Sequence, residues 1–284
     1  MKKNNKLALF DIDGTIALHG IIPESVITGL KHIQTLGFLT TISTGRGYIR
    51  AKEALGKHFD TIISPESLII IEHGTKIVDR NGKVVYADYF KPNEIDHIID
   101  FSRTNAEMIK LLWFVSPDPQ RRVQVWCEDP GNIENEIKKR GHYAEVFHCS
   151  FEELKERLLE YPISNVSAKL EDYVKVENLK LRFTRSEINI IFQDGMMEYI
   201  RNIADKSKAV LYLEKHHNIA VADMLVAGNA INDVDMLNLS AGRRILVGKD
   251  ESLITVLGLL VSPDKIIRVE SPEDLGVYLQ KISR

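Results

Sequence analysis

The sequence predicts an α/β protein, with a Rossmann-like parallel-sheet core interrupted by a large inserted α/β cap domain. Three observations carry this. Strand-like and helix-period runs alternate from Leu7 to Lys57, the pattern changes character between about Phe90 and Gln193, and simple alternation resumes at Lys206. The two ends therefore read as halves of one sheet, with the core expected over residues 1–87 and 197–284 and the cap over 88–196.

Leu7 to Phe10 is a short apolar run that suits a buried strand. It delivers Asp11, Asp13 and Gly14 to one point at the sheet edge, where ligands of open α/β sheets bind. Pro23 to Gly37 reads as a helix, with Pro in the first turn, Val26, Ile27, Leu30 and Ile33 at helical spacing, and Gly37 as a stop. Phe38 to Ser43 is the next strand, ending at Thr44-Gly45-Arg46, and Tyr48 to Lys57 is helical again. That β-α-β-α order is the signature of a parallel sheet with crossover helices. Leu68 to Ile71 forms a strand running into Glu72-His73-Gly74, and Asn81-Gly82 turns a hairpin between Lys76–Asp79 and Val84–Tyr86.

In the cap, helices are predicted at Pro92–Arg103, Asn132–Arg140, Phe151–Glu160 and Asp172–Leu179. Strands are predicted at Lys110–Val115, Arg122–Trp126, Val166–Leu170, Leu181–Thr184 and Glu187–Phe192. The core then resumes with a helix at Lys206–His216, strands at Met224–Ala227 and Arg244–Val247, and helices at Val234–Leu239, Ser252–Leu260 and Pro272–Lys281. No internal repeat or low-complexity tract is visible.

At 284 residues, 44% hydrophobic and 27% charged, the chain can bury two sizeable cores. A net charge of -3 with scattered basic residues gives no reason to expect a nucleic-acid or membrane surface, which favours small-molecule chemistry. The basic start is followed by an apolar run that breaks at Asp11, too early for a signal peptide, and no stretch spans a bilayer, so a cytoplasmic location is expected. Cys127 and Cys149 are too few and too isolated for a disulfide framework or a zinc site. His19, His73, His216 and His217 lack metal-cluster spacing and read as satisfied or solvated histidines. Trp113 and Trp126 read as cap core, while Arg121 and Arg122 stand between an anion contact and a solvated face.

Two carboxylates as close as Asp11 and Asp13 repel unless a cation separates them or one holds a proton. Their pairing points either to a metal site or to a nucleophile beside an acid/base. Three further points stand at predicted strand ends or helix starts: Thr44, Lys206 and the segment Gly228 to Asp233. Phosphoryl transfer needs a nucleophile, a proton donor for the leaving oxygen, cations for the equatorial oxygens and small hydrogen-bond donors. Asp11 can attack, Asp13 can relay protons, Lys206 supplies fixed positive charge and Thr44 a hydroxyl. Gly14 lets the backbone approach an anion closely. Arg46 is placed either to fork onto a substrate oxygen or to brace its loop through a carboxylate.

The four motifs, DIDGT at Asp11–Thr15, TGR at Thr44–Arg46, DKSKAV around Lys206 and GNAINDVDML at Gly228–Leu237, resemble those of the haloacid-dehalogenase (HAD) phosphatase superfamily. More narrowly, they resemble its Cof-like subclass IIB, with a cap between the second and third motifs. The resemblance implies a Mg²⁺-dependent phosphomonoesterase working through an aspartyl-phosphate, with Asp11 as nucleophile and Asp13 as general acid, then base. It implies phosphate binding at Gly14, Thr44, Gly45 and Lys206, and metal binding at Asp11, Asp13 through its main-chain carbonyl, Asn229 and Asp233. The expected substrate is a small phosphorylated metabolite, such as a sugar phosphate. The family's fourth motif usually begins Gly-Asp, and Asn229 departs from it, bringing an amide oxygen without negative charge. Weaker metal binding is expected to follow. The alternatives are a phosphosugar mutase on the same core and a non-catalytic phosphometabolite-binding protein.

Overall fold

The structure, a computed structural model, describes residues 6–115, 123–142, 144–171, 179, 188–193, 196–201, 205–260 and 265–283. The chain divides into two compact units, residues 1–86 with 205–284, and residues 87–204.

The first unit is built on a five-stranded parallel sheet. Its strands are β1 (Lys6–Phe10), β2 (Phe38–Ile42), β12 (Met224–Gly228), β13 (Arg243–Val247) and β14 (Ile267–Val269), in the order β14-β13-β12-β1-β2. Leu7 lies in register with Leu39 on one side and Met224 on the other, so β1 is flanked by strands from the two ends of the unit. Leu7, Ala8, Leu9 and Phe10 are all fully buried, as a strand covered on both faces must be. Ala8 and Phe10 join a core with α1 (Glu24–Thr35) and α10 (Pro272–Gln280). Leu7 and Leu9 face α7 (Lys206–His217), α8 (Val234–Asn238) and α9 (Glu251–Leu260). The helices α1 and α10 cross through two glycines: a Cβ on Gly29 would fall 2.7 Å from the Gly276 carbonyl oxygen.

Local chemistry sets the ends of these elements. Pro23 caps α1 from outside, its fixed φ already extended into the helix start. The predicted helix from Tyr48 stops earlier than expected: α2 is Tyr48–Leu55, because Gly56 takes φ +50 and ends it, and a short helix α3 (Phe59–Ile62) follows. Then come β3 (Ile69–Ile71), β4 (Lys76–Val78) and β5 (Val84–Ala87) as a three-stranded sheet. The turn between β4 and β5 closes through Gly82 N to Asp79 O at 3.0 Å, with Gly82 at positive φ.

The second unit carries its own six-stranded sheet, made of β6 (Ile109–Val115), β7 (Val123–Cys127), β8 (Ala144–Phe147), β9 (Asn165–Leu170), β10 (Ile188–Gln193) and β11 (Met196–Arg201). The order is β10-β11-β9-β6-β7-β8. Helices α4 (Pro92–Thr104) and α6 (Phe151–Leu159) contribute to its main core, where Ile98 and Leu154 meet Leu112, Phe114, Trp126 and Tyr199. Helix α5 (Ile133–Arg140) adds Ile133 to a smaller cluster around Leu111, Val125 and Cys127. Buried Arg201 ties the unit's ends together, bonding Asp88 and reaching Glu94 Oε2 at 3.0 Å.

Strands β8, β11 and β14 went unread in the sequence. β11, Met-Met-Glu-Tyr-Ile-Arg, carries Tyr199 and Ile200 and follows the turn-forming pair Asp194-Gly195 in the sequence, and it pairs with β9 and β10. That pairing carries the second unit through to Ala204, where the sequence pattern had put the break at residues 196 and 197. The predicted helix over 172–179 and strand over 181–184, like Arg121 and Arg122, fall outside the described residues, Leu179 excepted. Among the described residues no helix is long and apolar enough to cross a membrane.

Candidate active site

The carboxyl ends of β1, β2 and β12 bring three loops together where the strand order reverses, the place at which open α/β sheets bind ligands. Asp11 leaves β1 with its N–H bonded to Ala227 O at 3.0 Å, and Ser43 N bonds Phe10 O at 2.9 Å beyond β2. These bonds extend the sheet into the site and fix the Asp11 backbone.

The centre is a buried charge triad. Lys206 Nζ lies 2.8 Å from Asp11 Oδ1 and 2.5 Å from Asp233 Oδ1. Lys206 is placed there as the first residue of α7, whose N-terminus is capped by Asp205 accepting from Lys208 N at 2.7 Å. Burial draws the Lys206 ammonium down, but Asp11 and Asp233 together outweigh it and hold it above its ordinary range. Burial also pushes Asp11 up to about 6, with Lys206 opposing and Asp233 adding to the rise. The two shifts agree on one point: the triad holds one carboxylate more than its single ammonium balances. Asp11 Oδ2 accepts no hydrogen bond from the described residues, so this oxygen is free to react or to ligate.

Asp233, fully buried, is differently employed. Its Oδ2 accepts from Asn229 N at 2.9 Å and Ala230 N at 3.1 Å, and its Oδ1 from Lys206, so both oxygens are held by protein donors. It folds the loop after β12 and orients the lysine.

The side chain of Asp13 has a different partner from that of Asp11. Its carboxylate is gripped by Arg46, Nε to Oδ2 at 2.6 Å and Nη2 to Oδ1 at 2.9 Å. This resolves the two roles open for Arg46: it braces the loop. The Asp13 side chain is 49% exposed, and its charge is the least of the influences on Asp11.

Gly14 has φ +82, and a Cβ there would fall 2.2 Å from Asn229 Nδ2, so both backbone and space demand glycine. Thr15 Oγ1 donates to Asn229 Oδ1 at 2.9 Å, docking the loop after β1 on the loop after β12. Thr44 is buried; its N–H bonds Ile70 O at 3.0 Å and its Oγ1 accepts from Arg46 N at 3.2 Å. Gly45 lies under the His73 ring. Among the described residues no group of three or more His, Cys, Asp or Glu is placed to hold a metal, and the position after Gly228 is the uncharged Asn229.

Thr15 and His73 also meet these loops. Thr15 is part of the first motif and was legible there; His73 reaches the site only through the fold, and its one signal is a Gly directly after it at a strand end.

The fold and the family match define an enzyme, a hydrolase, with the Asp11 carboxylate at the tip of the central parallel strand. The family profile of haloacid dehalogenase-like hydrolases matches residues 8–253, and the chain belongs to that family. The HMP-PP phosphatase of Serratia proteamaculans is 23% identical over 249 residues, covering 86% of this chain and 84% of that protein. The HMP-PP phosphatase of Cronobacter sakazakii is 22% identical over 252 residues, with the same coverage, 86% and 84%. The fold is shared with BT1666, a HAD-superfamily phosphatase from Bacteroides thetaiotaomicron, at TM-score 0.71 and 17% identity over 97% of this chain and 94% of that one. It is shared equally with the subclass IIB sugar phosphatase BT4131, at TM-score 0.71 and 17% identity over 96% of both chains.

Proposed function

We propose that this chain is a cytoplasmic, Mg²⁺-dependent phosphatase that hydrolyses a small phosphomonoester through an aspartyl-phosphate on Asp11. The observation that carries this reading is the Asp11 carboxylate, buried, fixed through Oδ1 by Lys206 and open at Oδ2. Oδ2 attacks phosphorus while the Lys206 ammonium, already in place, offsets negative charge at the reacting centre without reorganising. Main-chain N–H groups beside Gly14 and Gly45 and the Thr44 hydroxyl hold the phosphoryl oxygens. Asp13, once it takes up a proton and leaves the Arg46 fork at one oxygen, gives that proton to the leaving oxygen and then takes one from the water that hydrolyses the acyl phosphate.

The donor set suits a hard cation. Every group is oxygen, the triad carries surplus negative charge, and Mg²⁺ binds with one or two carboxylates together with substrate phosphate and water. Asp11, the Asp13 carbonyl and the Asn229 amide oxygen, which keeps a second lone pair beside its bond from Thr15, would hold it; Asp233, with three donors on its two oxygens, would serve by fixing Lys206 and the Asn229 backbone. When bound, the ion supplies charge neutralisation for the transferring group.

The expected sugar phosphate now has a specific rival, since the two curated relatives described above act, by name, on HMP-PP. Phosphate release from a panel containing sugar phosphates and HMP-PP, across a Mg²⁺ titration with Asp11→Asn as control, decides both points. Release that requires Asp11 and Mg²⁺ is the expected result. An isomerised ester without phosphate release would mark a mutase, and tight binding without turnover a binding protein.

A further inference from the structure

The turn leaving β3 holds its backbone against ordinary preference. Glu72, His73 and Gly74 have φ of 49°, 56° and 94°, and only the last is glycine. Two consecutive side-chain-bearing residues in the left-handed region persist only where their surroundings impose it. Here those surroundings are the candidate active site. Glu72 N donates to Arg46 O and His73 N to Thr44 O, each at 3.1 Å, stitching the turn to the Thr44-Gly45-Arg46 loop. The buried His73 ring lies against Gly45: a Cβ added there would fall 2.3 Å from Cε1 and 2.5 Å from Nε2. The ring's Nδ1 is 3.5 Å from Nδ2 of Asn232, in the loop after β12. The Asn232 Oδ1 has no hydrogen-bond partner among the described residues. Gly74 meets the third loop, where an added Cβ would lie 2.3 Å from the Asp205 carbonyl oxygen and 3.0 Å from Lys206 N. Three residues thus touch the segments that carry Gly45, Asn232 and Lys206 at once.

We propose, resting on the phosphatase reading above, that His73 is a positioning residue for phosphoryl binding. Its ring sets the placement of the Gly45 peptide and the direction of the Asn232 amide. The ring thus has its Nδ1 side toward the Asn232 amide and its Cε1–Nε2 edge toward Gly45. Such a role explains why a strained, buried histidine sits at the meeting point of three loops. Misplacing a reacting group by about 1 Å costs on the order of 100-fold in rate, so a ring that sets the Gly45 peptide has leverage on catalysis without touching the substrate.

His73→Gly and His73→Asn test this, because both residues tolerate positive φ and leave the turn intact. The expected result is an unfolding midpoint near that of the wild type, kcat lower by roughly 10- to 100-fold, and inorganic phosphate bound about tenfold more weakly by calorimetry in the presence of Mg²⁺. Gly45→Ala alone is expected to lose phosphate binding because its methyl group meets the ring; adding His73→Gly should restore part of it. If the ring were packing alone, the variants would melt earlier with kcat and phosphate affinity unchanged, which overturns the proposal. A wild type that turns over no ester overturns the phosphatase reading instead, and phosphate affinity of the same variants still decides the role of His73.

Discussion

Lys206 and Asp233 meet at 2.5 Å with side-chain exposures of 1% and 0%, an ion pair sealed from water at the edge of an enzyme's reactive centre. Removing one member of such a pair leaves the other buried and uncompensated. Lys206→Ala strands two carboxylates and is expected to cost about 3–5 kcal/mol of stability, together with all turnover. Urea unfolding beside a phosphate-release assay measures both, and an active Lys206→Ala enzyme would remove the lysine from the mechanism.

The Asp11 carboxyl, raised from 3.8 to about 6 chiefly by burial, makes a prediction about pH. Between these values the folded chain binds more protons than the unfolded chain. This group's contribution therefore becomes more favourable as pH falls from 6 toward 3.8 and stays at its least favourable above 6. In EDTA, the stability difference between wild type and Asp11→Asn should change across that window and be flat from pH 7 upward. A difference with no pH dependence would refute the burial argument.

Asn229 supplies an amide where the family's motif usually supplies charge. Asn229→Asp should lower the Mg²⁺ concentration for half-maximal activity by roughly tenfold or more, the scale on which ligand charge moves affinity at oxygen sites. An unchanged Mg²⁺ requirement would show that Asn229 does not set the metal demand.

The Arg46 grip on Asp13 is half in solvent, with side-chain exposures of 34% and 49%. Its loss should alter stability by less than about 1 kcal/mol. Turnover is more sensitive: Arg46→Ala frees the proton carrier to swing, and kcat should fall by about 100-fold, the low end of what a placed acid–base contributes. Equal activity in the variant would leave Arg46 with a loop-bracing role only.

Much of the site was legible in the sequence because its parts sit at strand ends that composition marks clearly. Asp11 follows four fully buried apolar residues, and Thr44 follows a β-branched strand. What escaped was whatever depends on two distant segments touching. His73 looks like any solvated histidine until β3 is set beside the loop after β2, and Asp233 looks like a ligand until Lys206 and two backbone N–H groups claim its oxygens. Arg46 was ambiguous for the same reason, since its choice of Asp13 is a matter of geometry across two loops. In the second unit β11 had a local signal in Asp194-Gly195, a hairpin pair following β10, which its antiparallel pairing with β10 makes plain.

The placement of β1 between β2 and β12 has a consequence at the ribosome. Leu7 pairs with Met224, so at about 5–20 residues per second its second neighbour is synthesised roughly 10–40 s after it. During that interval a nascent chain carries an apolar strand with one open edge, the kind of surface that invites wrong partners. The second unit, contiguous in the chain, is completed in the meantime. Asp11 is thus made long before Lys206 and the strand carrying Ala227 arrive to complete its surroundings.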